Sequence, residues 1–332
     1  MNSLYRRLSG VGLTRNFVRE TALPSWWDDE IAVNPAGYAQ GLMLLARHLG
    51  LELDSLQDES VPLKLRDFGV CKYKKRAGVS EDELALARVM ATRAAQLAAE
   101  AMSSSPASMP ATAADIRQQI LDGGARWVGL RELLDYCWSA GIPVLHVDHF
   151  PTNARRPDGF AARVHGRSVI VICRRARFSA WLLFILAHEL GHVVLGHVAD
   201  DGTLIDDHLD EADQDTEERQ ANDFAVELLT GHPDKRFVAE CQWPNAQQLA
   251  AAALAIGQQN MVDPGHIALN YAHSMGKSFF PVGNAALNLI EPPQGNAVET
   301  VRNKMAACLD WSRLPDDSSE FLMRVTRQGL AP

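Results

Sequence analysis

The 332-residue chain is poor in several things that would each point to a function. Its five cysteines, Cys71, Cys137, Cys173, Cys241 and Cys308, are odd in number, widely spaced and form no Cys-x-x-Cys pair. That excludes a disulfide framework and a zinc ribbon of thiolates, and suits the reduced thiols of a cytosolic protein. Positive charge is in deficit: 32 Lys and Arg against 41 Asp and Glu leave a net charge of −9 and a pI near 5.7. Direct binding to DNA is therefore not the expected task, because no basic excess is available to neutralise phosphates. Long apolar runs are also missing. The longest, Trp181–His197, is broken by His188, Glu189 and His192, well short of the ~18 uninterrupted apolar residues of a membrane span. The opening residues, MNSLYRRLSGVGLTRNF, hold no apolar core of a secretory leader. A soluble, cytoplasmic protein with no membrane partner is expected.

That longest run, WLLFILAHELGHVVLGH, carries the chemistry. On a helix, residues four apart lie one turn above each other on one face. His188 and His192 can thus offer two imidazoles to one metal ion. Glu189 lies about 100° round the helix, within reach of a water at that metal. Two neutral nitrogen ligands, an open position and a carboxylate base are what a zinc hydrolase needs. Two histidines can also be ordinary hydrogen-bonded core residues. Here the flanking Leu182, Leu183, Ile185, Leu186, Val193, Val194 and Leu195 make the helix apolar nearly all round and therefore buried. Buried polar groups need partners, and a metal supplies them.

Catalytic zinc usually takes three protein ligands and a water. The longer metzincin spacing requires glycine at 195 and histidine at 198, but those positions hold Leu195 and Val198. His197 is thus read as a supporting or surface residue. Thr216–Thr230, TEERQANDFAVELLT, offers the alternative: a second amphipathic helix with Ala221, Phe224, Ala225, Leu228 and Leu229 on its apolar side. Glu218 and Asn222 are four apart and share a face. Glu218 is the candidate third ligand, Asn222 the candidate hydrogen-bond partner of a ligand histidine, and Glu217 the reserve. Taken singly, each glutamate also suits a solvated acidic face.

The rest of the chain reads as α+β and mostly helical, in three parts. Residues 1–78 form a helical N-terminal region in which Pro35 opens a helix. NPAGYAQGLMLLARHLGLELDSLQ is similar to the last two helices of an Xre-type repressor domain, but no helix-turn-helix precedes it, so partner docking is expected rather than DNA reading. Residues 79–290 are the expected catalytic domain. It begins with a helix over 80–102, with Ser80 and Glu83 as a capping box, and a loop at Ser103–Pro110. A helix over Leu130–Ala140 follows, then strands at Pro143–Val147, Phe160–Arg163 and Ser168–Cys173, the last two joined by a turn at His165-Gly166-Arg167. Ser168–Cys173 is the candidate edge strand for holding an extended peptide. The run Lys72, Lys74, Lys75, Arg76 reads as a solvated basic turn, and the acidic stretch Asp200–Glu217 as a solvated loop. Residues 291–332 form a helical tail with a break at Pro292-Pro293 and a helix near Asn296–Trp311.

HELGHVVLGH followed by ERQANDFAVELL resembles the ImmA/IrrE family of metallo-endopeptidases. The resemblance spans roughly residues 80–290 and implies a zincin-like domain with a small antiparallel or mixed sheet. It implies His188, His192 and Glu218 as Zn2+ ligands, Glu189 as general base and Asn222 as support. Val262–Gly276 is similar to the family's later helical segment, although Asp263 stands where the family often has histidine. Thr230-Gly231 likewise replaces a common Met-Pro. The resemblance further implies cleavage of a protein substrate, an Xre-type helix-turn-helix repressor or antitoxin, relieving repression in a stress, phage or mobile-element circuit. The expected reaction is peptide hydrolysis, with Glu189 moving the proton and a further donor to the oxyanion. Tyr271 and His273, in the family-like segment, are the favoured donors, ahead of His266 and His165. The alternative is a zinc-fold sensor that regulates by binding rather than cutting. A third idea places Cys173 over the zinc as a redox control.

Overall fold

The computed structural model describes residues 1–66, 71–73, 81–152, 154, 156–199, 203–206, 216–239, 242–291 and 295–328, with the backbone alone at 71–73, 81–84 and 203–206. The sheet grows from a hairpin. His165 and Gly166 both have positive φ, 50° and 78°, the backbone that a two-residue turn between twisted strands requires. They join β3 (Gly159–Val164) to β4 (Arg167–Ile172), with Phe160 opposite Val171 and Ala162 opposite Val169. With β1 (Cys71–Tyr73), β2 (Val144–His146) and β5 (Thr203–Asp206) they make one mixed sheet in the order β1-β5-β3-β4-β2. β2 runs parallel to β4 and β1 parallel to β5, whereas β3 is antiparallel to both β4 and β5.

That order corrects one expectation. β4 is not a free edge, because β2 pairs with it from Val144↔Ile170 to His146↔Ile172. A parallel partner from a separate upstream segment leaves no trace in the local pattern of SVIVIC. The sheet's outer edges belong to β1 and β2. Two expected loops are also strands in part: Lys72 lies in β1, and Asp206 of the acidic stretch closes β5.

The N-terminal part holds α1 (Asn2–Gly10), α2 (Arg15–Phe17), α3 (Pro35–Leu49) and α4 (Leu53–Gln57), and α5 (Glu81–Glu100) follows β1. Pro35 opens α3 as expected, with the Asn34 side chain accepting from the Ala36 N–H at 2.9 Å, a good N-cap. α6 (Ala113–Asp122) and α7 (Leu130–Ser139) lead into β2. α8 (Ser179–Val194) follows β4, and α9 (Thr216–Thr230) follows β5. The chain continues through α10 (Ala246–Asn260), α11 (Pro264–Met275), α12 (Phe280–Ile290), α13 (Ala297–Cys308) and α14 (Asp316–Val325).

Strand side chains alternate between two faces, and each face has its own core. On one face Leu145, Phe160, Ala162, Val169 and Val171 pack with Met90 and Ala94 of α5, Leu4 and Leu8 of α1, Leu45 of α3 and Phe321 of α14. The N-terminal region and the last helix thus share one core with the sheet. On the other face Val144, Ile170 and Ile172 pack with Leu133 of α7, Leu186 of α8, Leu228 of α9 and Val301 of α13. The sheet therefore lies between two helical layers, and α8 belongs to the second. No described helix is long and apolar enough to cross a membrane. The basic turn at Lys74–Arg76, residue Ser80 of the expected cap, 200–202 and 207–215 of the acidic stretch, Cys241 and Pro292-Pro293 lie outside the described residues.

Candidate metal centre

Glycine decides how close the two helices come. A β-carbon on Gly191 of α8 would lie 3.2 Å from the Ala221 carbonyl oxygen and 3.1 Å from Phe224 Cδ1, both on α9. Bare backbone against a small residue lets the helices cross nearly in contact. The crossing brings Glu218, one helical turn before Asn222 on α9, against the histidines of α8.

His188, His192 and Glu218 are all buried, and their ligating atoms lie within 4.8 Å of one another. His188 Nε2 is 3.3 Å from Glu218 Oε2, His192 Nε2 is 3.4 Å from Glu218 Oε1, and the two Nε2 atoms are 3.0 Å apart. The rings stand edge to face at 79°. His188 Nδ1 donates to Asn222 Oδ1 at 3.0 Å, which leaves the lone pair on Nε2. A buried gathering of imidazole nitrogens and carboxylate oxygens is unfavourable unless a proton or a metal cation lies among them. Two imidazoles and one carboxylate are a donor set that suits zinc.

The side of Glu189 is also kept clear. Gly159, opening β3, faces α8, and a β-carbon there would lie 3.1 Å from Glu189 Oε1 and 2.7 Å from Ile185 Cγ2. Glu189 itself is buried. Glu217, the reserve ligand, is only partly buried and lies on the next face of α9.

The remaining sequence candidates separate. His273 is exposed on α11. Tyr271 is buried beside Phe279, with ring centroids 6.1 Å apart, and its hydroxyl has no hydrogen-bond partner among the described residues. His165 occupies the exposed hairpin turn. The length of β3, roughly 17 Å at ~3.4 Å per residue, separates it from Gly159. His266 is buried and stacks on Phe184 at 6.1 Å, and Phe184 in turn is 6.5 Å from His188. Burial pushes the His266 pKa down to about 4. Asp263, standing where the resemblance expects histidine, caps α11 by accepting from the His266 N–H at 2.9 Å, and burial pushes its pKa up to about 6. Cys173 is buried in the core on the far face of the sheet from α8. Burial, and then the Glu189 charge, push its thiol pKa up.

Sequence reasoning left one pair of contacts unread. His192 Nδ1 is 2.9 Å from His197 Nδ1, and His197 Nε2 is 3.1 Å from Gln220 Oε1.

Residues 100–262 match the model of the family described as Peptidase U49. The match supports a peptidase. It takes in β2 to β5 and both helices of the centre, somewhat less than half of the chain. No curated protein and no solved structure matches the chain.

Proposed function

We propose that the protein is a zinc-dependent endopeptidase with His188, His192 and Glu218 as metal ligands, Glu189 as general base and Asn222 as support for His188. The observation that carries this reading is the convergence of two Nε2 atoms and a carboxylate within 4.8 Å, next in sequence to a second buried carboxylate. When bound, the metal supplies acidity to water and polarises the scissile carbonyl. Glu189 takes the proton and passes it to the leaving amine. Tyr271 and His273 are the proposed oxyanion donors, as alternatives to each other. Tyr271 is preferred because its buried hydroxyl has no partner among the described residues.

The proposed substrate is an Xre-type helix-turn-helix repressor or antitoxin, in the cytoplasm. That choice rests on the resemblance of the two helical motifs to the ImmA/IrrE family. Residues 79–290 are proposed as the catalytic unit, with residues 1–78 and 291–332 flanking it. The test is co-expression with candidate repressors, followed by intact-mass analysis and metal analysis of the purified chain. Cleavage by the wild type, lost in Glu189→Gln with metal content retained, is expected. A Glu189→Gln variant that still cuts, or a stable complex without fragments, would overturn the reading.

A further inference from the structure

α8 ends in a specific turn. Gly196 has φ 73°, the left-handed conformation that glycine adopts without strain. The His197 N–H donates to the His192 carbonyl at 3.0 Å, and the Gly196 N–H to the Val193 carbonyl at 3.3 Å. These two bonds define a Schellman motif, which folds the second residue beyond the helix back over its last turn. That place is usually apolar. Here it holds His197, and the return brings its ring against His192, with centroids 5.1 Å apart.

The proton positions then follow from the outer end inward. Gln220 Oε1 only accepts, so His197 Nε2 carries the proton across the 3.1 Å contact. A neutral His197 then accepts at Nδ1, and His192 donates from Nδ1 across 2.9 Å. His192 Nε2 is left with its lone pair, 3.4 Å from Glu218 Oε1. Both ends of the chain of contacts lie on α9, since Gln220 and Glu218 are two residues apart.

We propose that His197 and Gln220 are positioning residues that fix the tautomer and ring orientation of His192 for metal binding. This rests on the metal-site reading above. It gives His197 a role that the metzincin spacing denies it as a ligand, and Gln220 a role that its exposed place on α9 conceals.

The experiment uses the full chain, stripped of metal and titrated with Zn2+ against a chromophoric chelator. His197→Phe and Gln220→Leu are expected to lose roughly 10- to 100-fold in zinc affinity, with the melting temperature of the metal-free protein unchanged in Gln220→Leu. Gln220→Glu keeps an acceptor oxygen and is expected to keep the affinity. Wild-type affinity in both His197→Phe and Gln220→Leu would overturn the proposal, as would a loss in Gln220→Glu equal to that in Gln220→Leu. Nitrogen-15 spectra of the zinc-loaded wild type give a second readout: protons on His192 Nδ1 and His197 Nε2 are expected, and a proton on His197 Nδ1 would sink the idea. A wild-type chain that takes up no zinc would overturn the metal-site reading itself, whereas zinc binding indifferent to these variants overturns only the positioning role.

Discussion

Gly191 and Ala221 meet where α8 crosses α9, with little room for a side chain on the glycine: a β-carbon would lie 3.3 Å from Ala221 Cα. Gly191→Ala gains up to ~1 kcal/mol of helix propensity, while the tight contacts push α9 outward by a fraction of an ångström. Its stability is expected to change little and its zinc affinity to fall. Gly191→Val adds overpacking of about 1–3 kcal/mol and a larger loss of affinity. Chelator competition and urea unfolding on both variants separate the two effects. Zinc binding of wild-type strength in Gly191→Val would show that the close crossing does not set the site.

Glu218 and Glu217 are neighbours in sequence but point in different directions. Glu218 is 5% exposed and faces both histidines, whereas Glu217 is only partly buried. Glu218→Gln is expected to lose more zinc affinity than the roughly 10- to 100-fold of a supporting residue. Glu217→Gln is expected to bind as the wild type does. Equal losses in the two variants would remove Glu218 as the third ligand.

What could be read from the sequence was local. His188 and His192 share a face by helical spacing alone, and so do Glu218 and Asn222. The hairpin turn at His165 and Gly166 was legible from its residue types. The failures were of two kinds. The β2–β4 pairing is parallel and distant in sequence, so the edge assigned to Ser168–Cys173 could not be tested locally. The core shared by α1, α3, α5 and α14 is equally non-local. By contrast, the separation of Tyr271 from His273 was available: two residues apart on a helix is about 200°, so the two could not share one face. The return of His197 was available in part, because Gly196 after an apolar helix marks a left-handed cap.

Stability is expected to fall steeply with acid. Burial pushes His48, His146 and His266 down from 6.5 to about 4. For each, the stabilisation is complete above pH 6.5 and is lost as pH falls towards 4, because the unfolded chain takes up the proton first. Asp263, pushed up from 3.8 to about 6, has the opposite sign: below pH 6 the folded chain takes up the proton first. For these four groups the balance at about pH 5 is roughly two extra protons on the unfolded chain, or about 3 kcal/mol per pH unit. Urea unfolding at pH 7, 6 and 5 in excess chelator measures it. Asp263→Asn is expected to steepen the profile by about one proton, and a flat profile from pH 6.5 to 5 would contradict the assignment.

Arg117 closes two helix ends at once. From α6 it donates to the Leu228 and Leu229 carbonyls of α9 at 3.1 and 2.9 Å, and to those of Asn260 and Met261 at the end of α10 at 3.3 and 2.6 Å. These are carbonyls that a helix cannot satisfy itself. The side chain is buried, so a replacement of similar volume without donors leaves several acceptors dry, at about 1–3 kcal/mol for each one that water cannot reach. Arg117→Met is therefore expected to lose about 3 kcal/mol or more in urea unfolding. Arg117→Lys, with a point charge in place of a planar fork, can reach some of the four carbonyls and is expected to fall between Met and the wild type. Because α9 also carries Glu218, the Met variant is expected to bind zinc more weakly at temperatures where it is still folded. A Met variant within about 1 kcal/mol of the wild type, with unchanged zinc affinity, would mean that these carbonyls find water and that the clamp does not hold α9 in place.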